Sequence, residues 1–313
     1  MDIDKDVTVS IAMITYNHEG FISQAIEGVL MQQTSFPFEL IIGEDCSTDN
    51  TRQICIEYRE KYPEIIRLLL PEKNLGAWDN MENVLNVCRG KYISFCEGDD
   101  YWTDPLKLQK QIDFLESHPD YSLCAGRFKT LYEGGSELSD DWLVKVMKRH
   151  PDGMTVTLDD FLYPYKLLTL TICLRTECIR DLSKFGSHIK DDIMWAAALE
   201  IGKGFIFSDT FGVYRRHQGG IWSCVDLKSR LLNQKKYTGE LYKHYGDISR
   251  SIRKCYYILK LDLLFFDLSE KRNKPKVCFE MAKLIFSDKI GLLPFRIRYL
   301  FIRIGRNVRG KPY

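Results

Sequence analysis

The chain has 313 residues, 45% of them hydrophobic and 28% charged, with a formal net charge of +1. That length allows one large domain or two ordinary ones, and the composition is that of a soluble globular protein with a real core. The charge balance, with no long basic stripe in the first two thirds, argues against a dedicated nucleic-acid binder. Ten cysteines are scattered without a CxxC pair. They read as reduced, core-filling thiols rather than a disulfide framework or a zinc site. "MDIDKDVTVSIAMI" places acids before its apolar run, unlike a secretory signal, and no apolar stretch reaches the roughly 20 residues of a spanning helix. The expected location is cytoplasmic.

In chain order, "VTVSIAMITY" (7–16) reads as a strand, and "GFISQAIEGVLMQ" (20–32) spaces its apolar residues as a helix does. "FELIIGED" (38–45) has a buried-strand pattern, and "STDNT" supplies cap-forming side chains for a helix over about 51–62. "IIRLLL" (65–70), a helix near 77–88 and the strand "KYISF" (91–95) follow. Strands alternating with helices predict a parallel sheet covered on both faces. From 105 to 225 the pattern is mixed: a helix at 105–118, a strand at 121–132, the polar insertion "YEGGSELSDD", a strand near 167–175 and a helix over 191–200. "GFIFSDT" and "GVYRRHQGG" come next, and from about 226 the chain reads helical, which predicts a division into 1–225 and 226–313. A helix over 292–309 would carry Arg296, Arg298, Arg303, Arg306 and Arg309 beside Phe295, Ile297, Tyr299, Phe301 and Ile302. Such a segment suits either an anionic lipid surface, with snorkelling arginines, or packing on its own domain.

Ligands of parallel sheets sit beyond the carboxyl ends of the strands, and the polar clusters fall there. "TYNHE" follows the first strand, "EDCSTD" the second, "PEKN" the third and "CEGDDYW" the fourth. Paired aspartates at a strand end suit a hard cation that bridges carboxylates to phosphate, or a solvated turn. The acids of "KDDIMWAAALE" begin a helix whose dipole favours their ionised form, as caps or as a base. His217, between two arginines and two glycines, suits a metal, a phosphate or ordinary surface. There is no GxGxxG after the first strand and no GxxxxGK[ST] anywhere, so the usual dinucleotide and P-loop devices are missing.

"VSIAMITYNHEGFISQAIEGVLMQ", "ELIIGEDCSTDNT", "PEKNLG", "GKYISFCEGDDYW", "DDIMWAAALE" and "YRRHQGG" together resemble family 2 glycosyltransferases in order and rough spacing, over residues 7 to 222. The resemblance is greatest to bacterial enzymes that build surface polysaccharides. It implies the GT-A fold, a Rossmann-like, mainly parallel α/β sheet flanked by helices, here with a C-terminal helical extension. It also implies inverting transfer from a nucleotide sugar, with a UDP-sugar expected, to a saccharide or lipid-linked acceptor. A divalent metal, Mn²⁺ or Mg²⁺, comes with it. By the same resemblance Asp100 is the first metal ligand, with Asp99 and His217 beside it, and Asp99 also near the donor ribose. Thr15, Tyr16, Asn17 and Glu19 of "TYNHE" line the nucleotide, Asp45 reads the base edge, and Lys73 and Asn74 add donor contacts. Asp192 is the expected catalytic base with Asp191 in reserve. Arg215 or Arg216 would assist on the diphosphate, and the glycines after His217 suit a closing loop. Glu97 stands where the family often has Asp, and its role is open. A non-catalytic sugar-nucleotide binder of the same fold is the alternative.

Overall fold

The computed structural model describes residues 6–135, 137–139, 146–161, 167–180, 182, 190–220 and 226–269. The chain divides into two compact units, one of residues 1–161 and 166–224 and one of residues 162–165 and 225–313. The first begins with β1 (Val9–Thr15), α1 (Ile22–Leu30), β2 (Phe38–Glu44), α2 (Thr51–Lys61), β3 (Ile66–Leu69), α3 (Ala77–Val87) and β4 (Tyr92–Phe95). β5 (Tyr101–Trp102), α4 (Lys107–Ser117), β6 (Tyr121–Tyr132), β7 (Glu137–Ser139) and β8 (Met154–Val156) follow. A 3₁₀ turn at Thr169–Thr171, β9 (Cys173–Arg175), α5 (Asp191–Ile201) and β10 (Lys203–Arg216) complete it. One sheet runs β3-β2-β1-β4-β9-β6-β10-β5, with β7 on β6 and β8 on β10.

β3, β2, β1 and β4 are mutually parallel. Their near-continuous apolar runs follow from burial on both faces: Val9, Ile11 and Met13 of β1 and Leu40 and Ile42 of β2 are fully enclosed. α1 packs Ile22, Ala25, Ile26 and Val29 inward, the i, i+3, i+4, i+7 stripe of a core-facing helix. It starts later than the apolar pattern because Phe21 N and Ile22 N both donate to His18 O at 2.9 Å, so 18–21 forms the entry turn. Beyond β4 the sheet is mixed: β9 is antiparallel to both β4 and β6, while β10 is parallel to β6. "GFIFSDT" and "GVYRRHQGG" belong to the single strand β10, whose register shifts at Ile206–Gly212 mark bulges. β5 and β8, also on β10, are too short for any periodicity to expose.

The second unit holds α6 (Leu227–Tyr245) and α7 (Arg250–Ser269). Asp226 caps α6 by accepting from Ser229 N, and Leu231, Leu259 and Leu263 form a small apolar cluster between the two helices. Tyr242 stacks on Tyr256, ring centroids 4.5 Å apart. Among the described residues no helix is long and apolar enough to cross a membrane. The basic helix expected over 292–309 lies outside the described residues.

Candidate active site

The sheet order places β1 between β2 and β4, so the chain reverses direction of travel between β1 and β4, and a crevice opens beyond their carboxyl ends. β10 runs the same way as β4, since two antiparallel steps and one parallel step connect them. The residues after β1, β4 and β10 therefore meet at one edge. α5 ends immediately before β10 begins, which turns its N-terminus toward that same edge.

Past β4 the chain stays registered on β1: Cys96 N donates to Ala12 O (3.1 Å) and Gly98 N to Ile14 O (3.0 Å). A Cβ on residue 98 would stand 2.5 Å from Thr15 Oγ1, so only glycine lets the acidic loop lie this close to β1. Thr15 Oγ1 is 3.1 Å from His18 Nδ1, and the His18 ring turns its other nitrogen, Nε2, to 3.9 Å from Asp99 Oδ2. His217 Nε2 lies 3.1 Å from the same oxygen. One potential ligand atom from each of His18, Asp99 and His217 falls within 4.8 Å of the others. Phe21 packs beside both imidazoles, 4.7 Å from His217 and 6.3 Å from His18 by ring centroids.

The two aspartates point in different directions. Asp100 is 3% exposed, and its Oδ1 accepts the Arg215 backbone N–H at 2.9 Å. It is not part of the converging group, although the family resemblance implied it as the first metal ligand; the carboxylate in that group is Asp99. Burial, then the charges of Asp99 and Glu97, push Asp100 well above the usual carboxylate range. Burial and the neighbouring Asp191 and Asp99 raise Glu97 to about 8, and its Oε2 has no hydrogen-bond partner among the described residues. At Asp99 burial acts in the same sense, but the His217 hydrogen bond and both imidazoles outweigh it and hold the carboxyl below its ordinary value. Of the three acids, Asp99 is the one whose surroundings favour the ionised form. Burial keeps His18 below the usual imidazole value, which favours the neutral form a metal requires.

Arg215 is 8% exposed and faces the protein. Its guanidinium donates to Asp99 O (2.7 Å) and to Gln24 Oε1, and lies 4.4 Å from the Tyr101 ring centroid and 5.2 Å from that of Phe21. Arg216 sits over Tyr132 instead. Asp191 Oδ2 accepts from Thr169 Oγ1 at 2.9 Å, and Asp191 is the side chain that acts on Glu97. Asp192, half-buried, has no side-chain partner among the described residues.

The expected donor residues fall around the β1 and β2 loops. Tyr16 is 41% exposed. Asn17, with φ 55°, accepts from Thr48 N (2.8 Å), while Glu19 accepts from Asn50 N (3.0 Å), so both tie the first loop to the second. Asp45 is buried, and its two oxygens accept Leu75 N and Gly76 N at 2.8 Å, at the entry to α3. Asn74 donates to Asp45 O at 2.9 Å, and Lys73 is exposed. Beyond β10, Gly220 N closes a turn onto His217 O (3.1 Å) and Gln218 N donates to Glu133 (3.1 Å). Sequence reasoning passed over His18, Gln24, Phe21 and Thr169. His18 alone carried a signal, an imidazole in the polar turn directly after the first strand.

Residues 10–165 match the profile described as "Glycosyl transferase family 2". "Uncharacterized protein Rv1520" of Mycobacterium tuberculosis is 36% identical over 214 residues, 68% of this chain and 60% of that protein. The chain thus matches about 60% of the length of that curated relative. Escherichia coli WfgD, named UDP-Glc:alpha-D-GlcNAc-diphosphoundecaprenol beta-1,3-glucosyltransferase, is 27% identical across 81% of this chain and 92% of its own. Among solved structures, S. aureus TarS 1–349 in complex with UDP-GlcNAc superposes with a TM-score of 0.60 at 19% identity, covering 94% of this chain and 80% of that 1–349 chain, a likeness of fold. The parallel sheet half, the acidic loop beyond its fourth strand and the matched profile together make this chain a member of glycosyltransferase family 2.

Proposed function

We infer that this chain transfers a sugar from a UDP-sugar to a saccharide or lipid-linked saccharide in surface-polysaccharide synthesis, inverting the anomeric configuration with a divalent cation, Mn²⁺ or Mg²⁺, on the diphosphate. The observation that carries this reading is the convergence of His18, Asp99 and His217 in the crevice beyond β1 and β4 of a family 2 sheet. The UDP-sugar and lipid-diphosphate substrates in the name of WfgD, and UDP-GlcNAc on TarS, support the choice of donor and setting.

The side chains fit a cation. Cis ligands about 2.1 Å from a common ion stand about 3.0 Å apart in an octahedron, and Asp99 Oδ2 lies 3.1 Å from one imidazole nitrogen and 3.9 Å from the other. A bound cation supplies neutralisation of the charge that develops on the leaving diphosphate. The chain supplies the rest. Tyr16 offers an exposed ring for the base, and Asp45 keeps a lone pair on each oxygen for the base edge. Thr15, Asn17, Glu19, Lys73 and Asn74 are assigned as further donor-side contacts. Asp191, oriented by Thr169, takes the proton of the acceptor hydroxyl. One displacement inverts the centre, and no sugar–enzyme bond forms. The basic segment 292–309 is assigned to an anionic membrane surface on the cytoplasmic side, where a lipid-linked acceptor would be found.

Two substitutions separate the paired acids. Asp191→Asn should lower acceptor-dependent transfer by roughly 10²–10⁴-fold with UDP binding unchanged, the range for loss of a general base. Asp192→Asn should stay within a few-fold of wild type. The reverse ranking moves the base to Asp192. Wild-type protein that binds UDP-sugars but neither hydrolyses nor transfers them would make this a binding protein of the same fold.

A further inference from the structure

We propose that Trp78 and Lys190 are positioning residues, a clasp between the first turns of α3 and α5 that sets how Asp191 meets the acceptor hydroxyl. The proposal rests on the general-base reading above and adds two side chains outside the groups assigned to donor and cation. The Lys190 ammonium lies over the Trp78 ring, 4.6 Å from its centroid, and both residues are half-buried. Lys190 breaks the local rules for the place it occupies. It is the N-cap residue of α5 (φ −108°, ψ 163°), and its side chain makes no capping hydrogen bond. Short polar side chains serve best at that position, and the positive end of the helix dipole disfavours a cation beside it. Such conflicts with local preference are expected where a functional site, not stability, sets the residue. The face of an indole attracts an ammonium and offsets part of the cost.

Each half of the clasp is tied to the element that it steers. Lys190 O accepts from Ile193 N (2.8 Å) and Met194 N (3.1 Å), so the anchored residue is bonded into the first turn of α5. Asp191 follows directly, and Thr169 holds its carboxylate from another side. On α3, Gly76 has a φ of 87°, which a Cβ would strain, and its N–H donates to Asp45 Oδ2 at 2.8 Å. Asn80, 2% exposed, donates its N–H to Gly76 O (3.0 Å) and its side-chain amide to Gly43 O (2.8 Å). The indole is therefore carried on a turn pinned to β2 and the residue after it. Removing it frees the Lys190 end of the α5 turn, and a shift of about 1 Å at a reacting group can lower a rate by about 10²-fold.

The test measures acceptor-dependent transfer and amide hydrogen exchange on the full chain. Trp78→Leu and Lys190→Gln should each lower kcat by roughly 10–100-fold while the KM for UDP-sugar stays within about two-fold of wild type. The double variant should be no slower than either single one, because both remove the same contact. Trp78→Phe and Lys190→Arg keep a ring and a cation, and should recover most of the rate. In an Asp191→Asn background Trp78→Leu should lower transfer no further. Without any ligand, exchange at the Ile193 and Met194 amides should be roughly 2–30-fold faster in Trp78→Leu, the range that the worth of such a contact implies. Lys190→Gln carries both measurements if Trp78→Leu does not melt cooperatively. Single variants within about two-fold of the wild-type kcat, or losses that add in the double variant, overturn the clasp and leave sugar transfer standing. Wild type that binds UDP-sugar without transferring it removes the glycosyltransferase reading. The exchange measurement then decides the clasp by itself, and unchanged protection at Ile193 and Met194 overturns it.

Discussion

At the scale of single residues, the Arg215 side chain does a different task from the one its neighbours suggest. It braces the loop from beneath through the Asp99 carbonyl and Gln24, between the Tyr101 and Phe21 rings. A planar fork stacked on aromatics is not reproduced by an ammonium. Arg215→Lys is therefore expected to weaken Mn²⁺ binding and lower the melting temperature, whereas Arg216→Lys changes neither; equal effects from the two, read by calorimetry and thermal melting, would contradict the bracing role. Asp99 and His217, which the structure brings to 3.1 Å of each other, stood out because "EGDDYW" and "YRRHQGG" carry acids and an imidazole at strand ends. The choice between adjacent acids was not legible. Successive residues in a turn or a first helical turn point apart by angles that only the backbone fixes, so Asp99 and Asp100, or Asp191 and Asp192, look alike in sequence. His18 was missed because its partners lie 81 and 199 positions away along the chain.

At the scale of elements, the parallel half of the sheet was readable from long apolar runs alternating with helical stripes, and the mixed half was not. β5, β7 and β8 have two or three residues each and gain their pairing from β6 and β10, which no local pattern records. α4 also carries a charge on its inner face: Lys107, four residues before Gln111 and eight before Leu115, is fully buried. Its ammonium donates to Ser94 Oγ (2.8 Å) and Gln111 Oε1 (2.7 Å) and lies 3.9 Å from the centre of the Trp102 ring. Burial lowers its pKa from 10.5 to about 8. The unfolded chain then binds more protons than the folded one between about pH 8 and 10.5, so this group's contribution to stability rises with pH across that window and is at its lowest below it. Measured by urea unfolding, the stability difference between wild type and Lys107→Met should move in favour of wild type from pH 8 to 10.5. A flat difference would mean that the ammonium is not desolvated.

At the scale of the whole molecule, every group assigned to the UDP-sugar and the cation belongs to the sheet unit. A ligand that binds only the folded state adds RT ln(1 + [L]/Kd), about 2.7 kcal/mol at one hundred times Kd. With UDP-sugar and Mn²⁺ present, hydrogen exchange should slow at the ends of β1, β4 and β10 and stay unchanged in α6 and α7. Slowing confined to α6 and α7 would place the donor elsewhere.

His18, Asp99 and His217 come from three distant points of the chain, with 118 positions between the last two. An ion gripping all three closes two long loops in the covalent connectivity. β1 and β4 can pair early, since fewer than ninety residues separate their ends, but β10 must cross the remaining chain before the third ligand arrives. Such a grip would be absent from the folding barrier and present in the native state. Mn²⁺ would leave the refolding rate nearly unchanged and slow unfolding, acting on the lifetime of the fold rather than on the speed of its assembly.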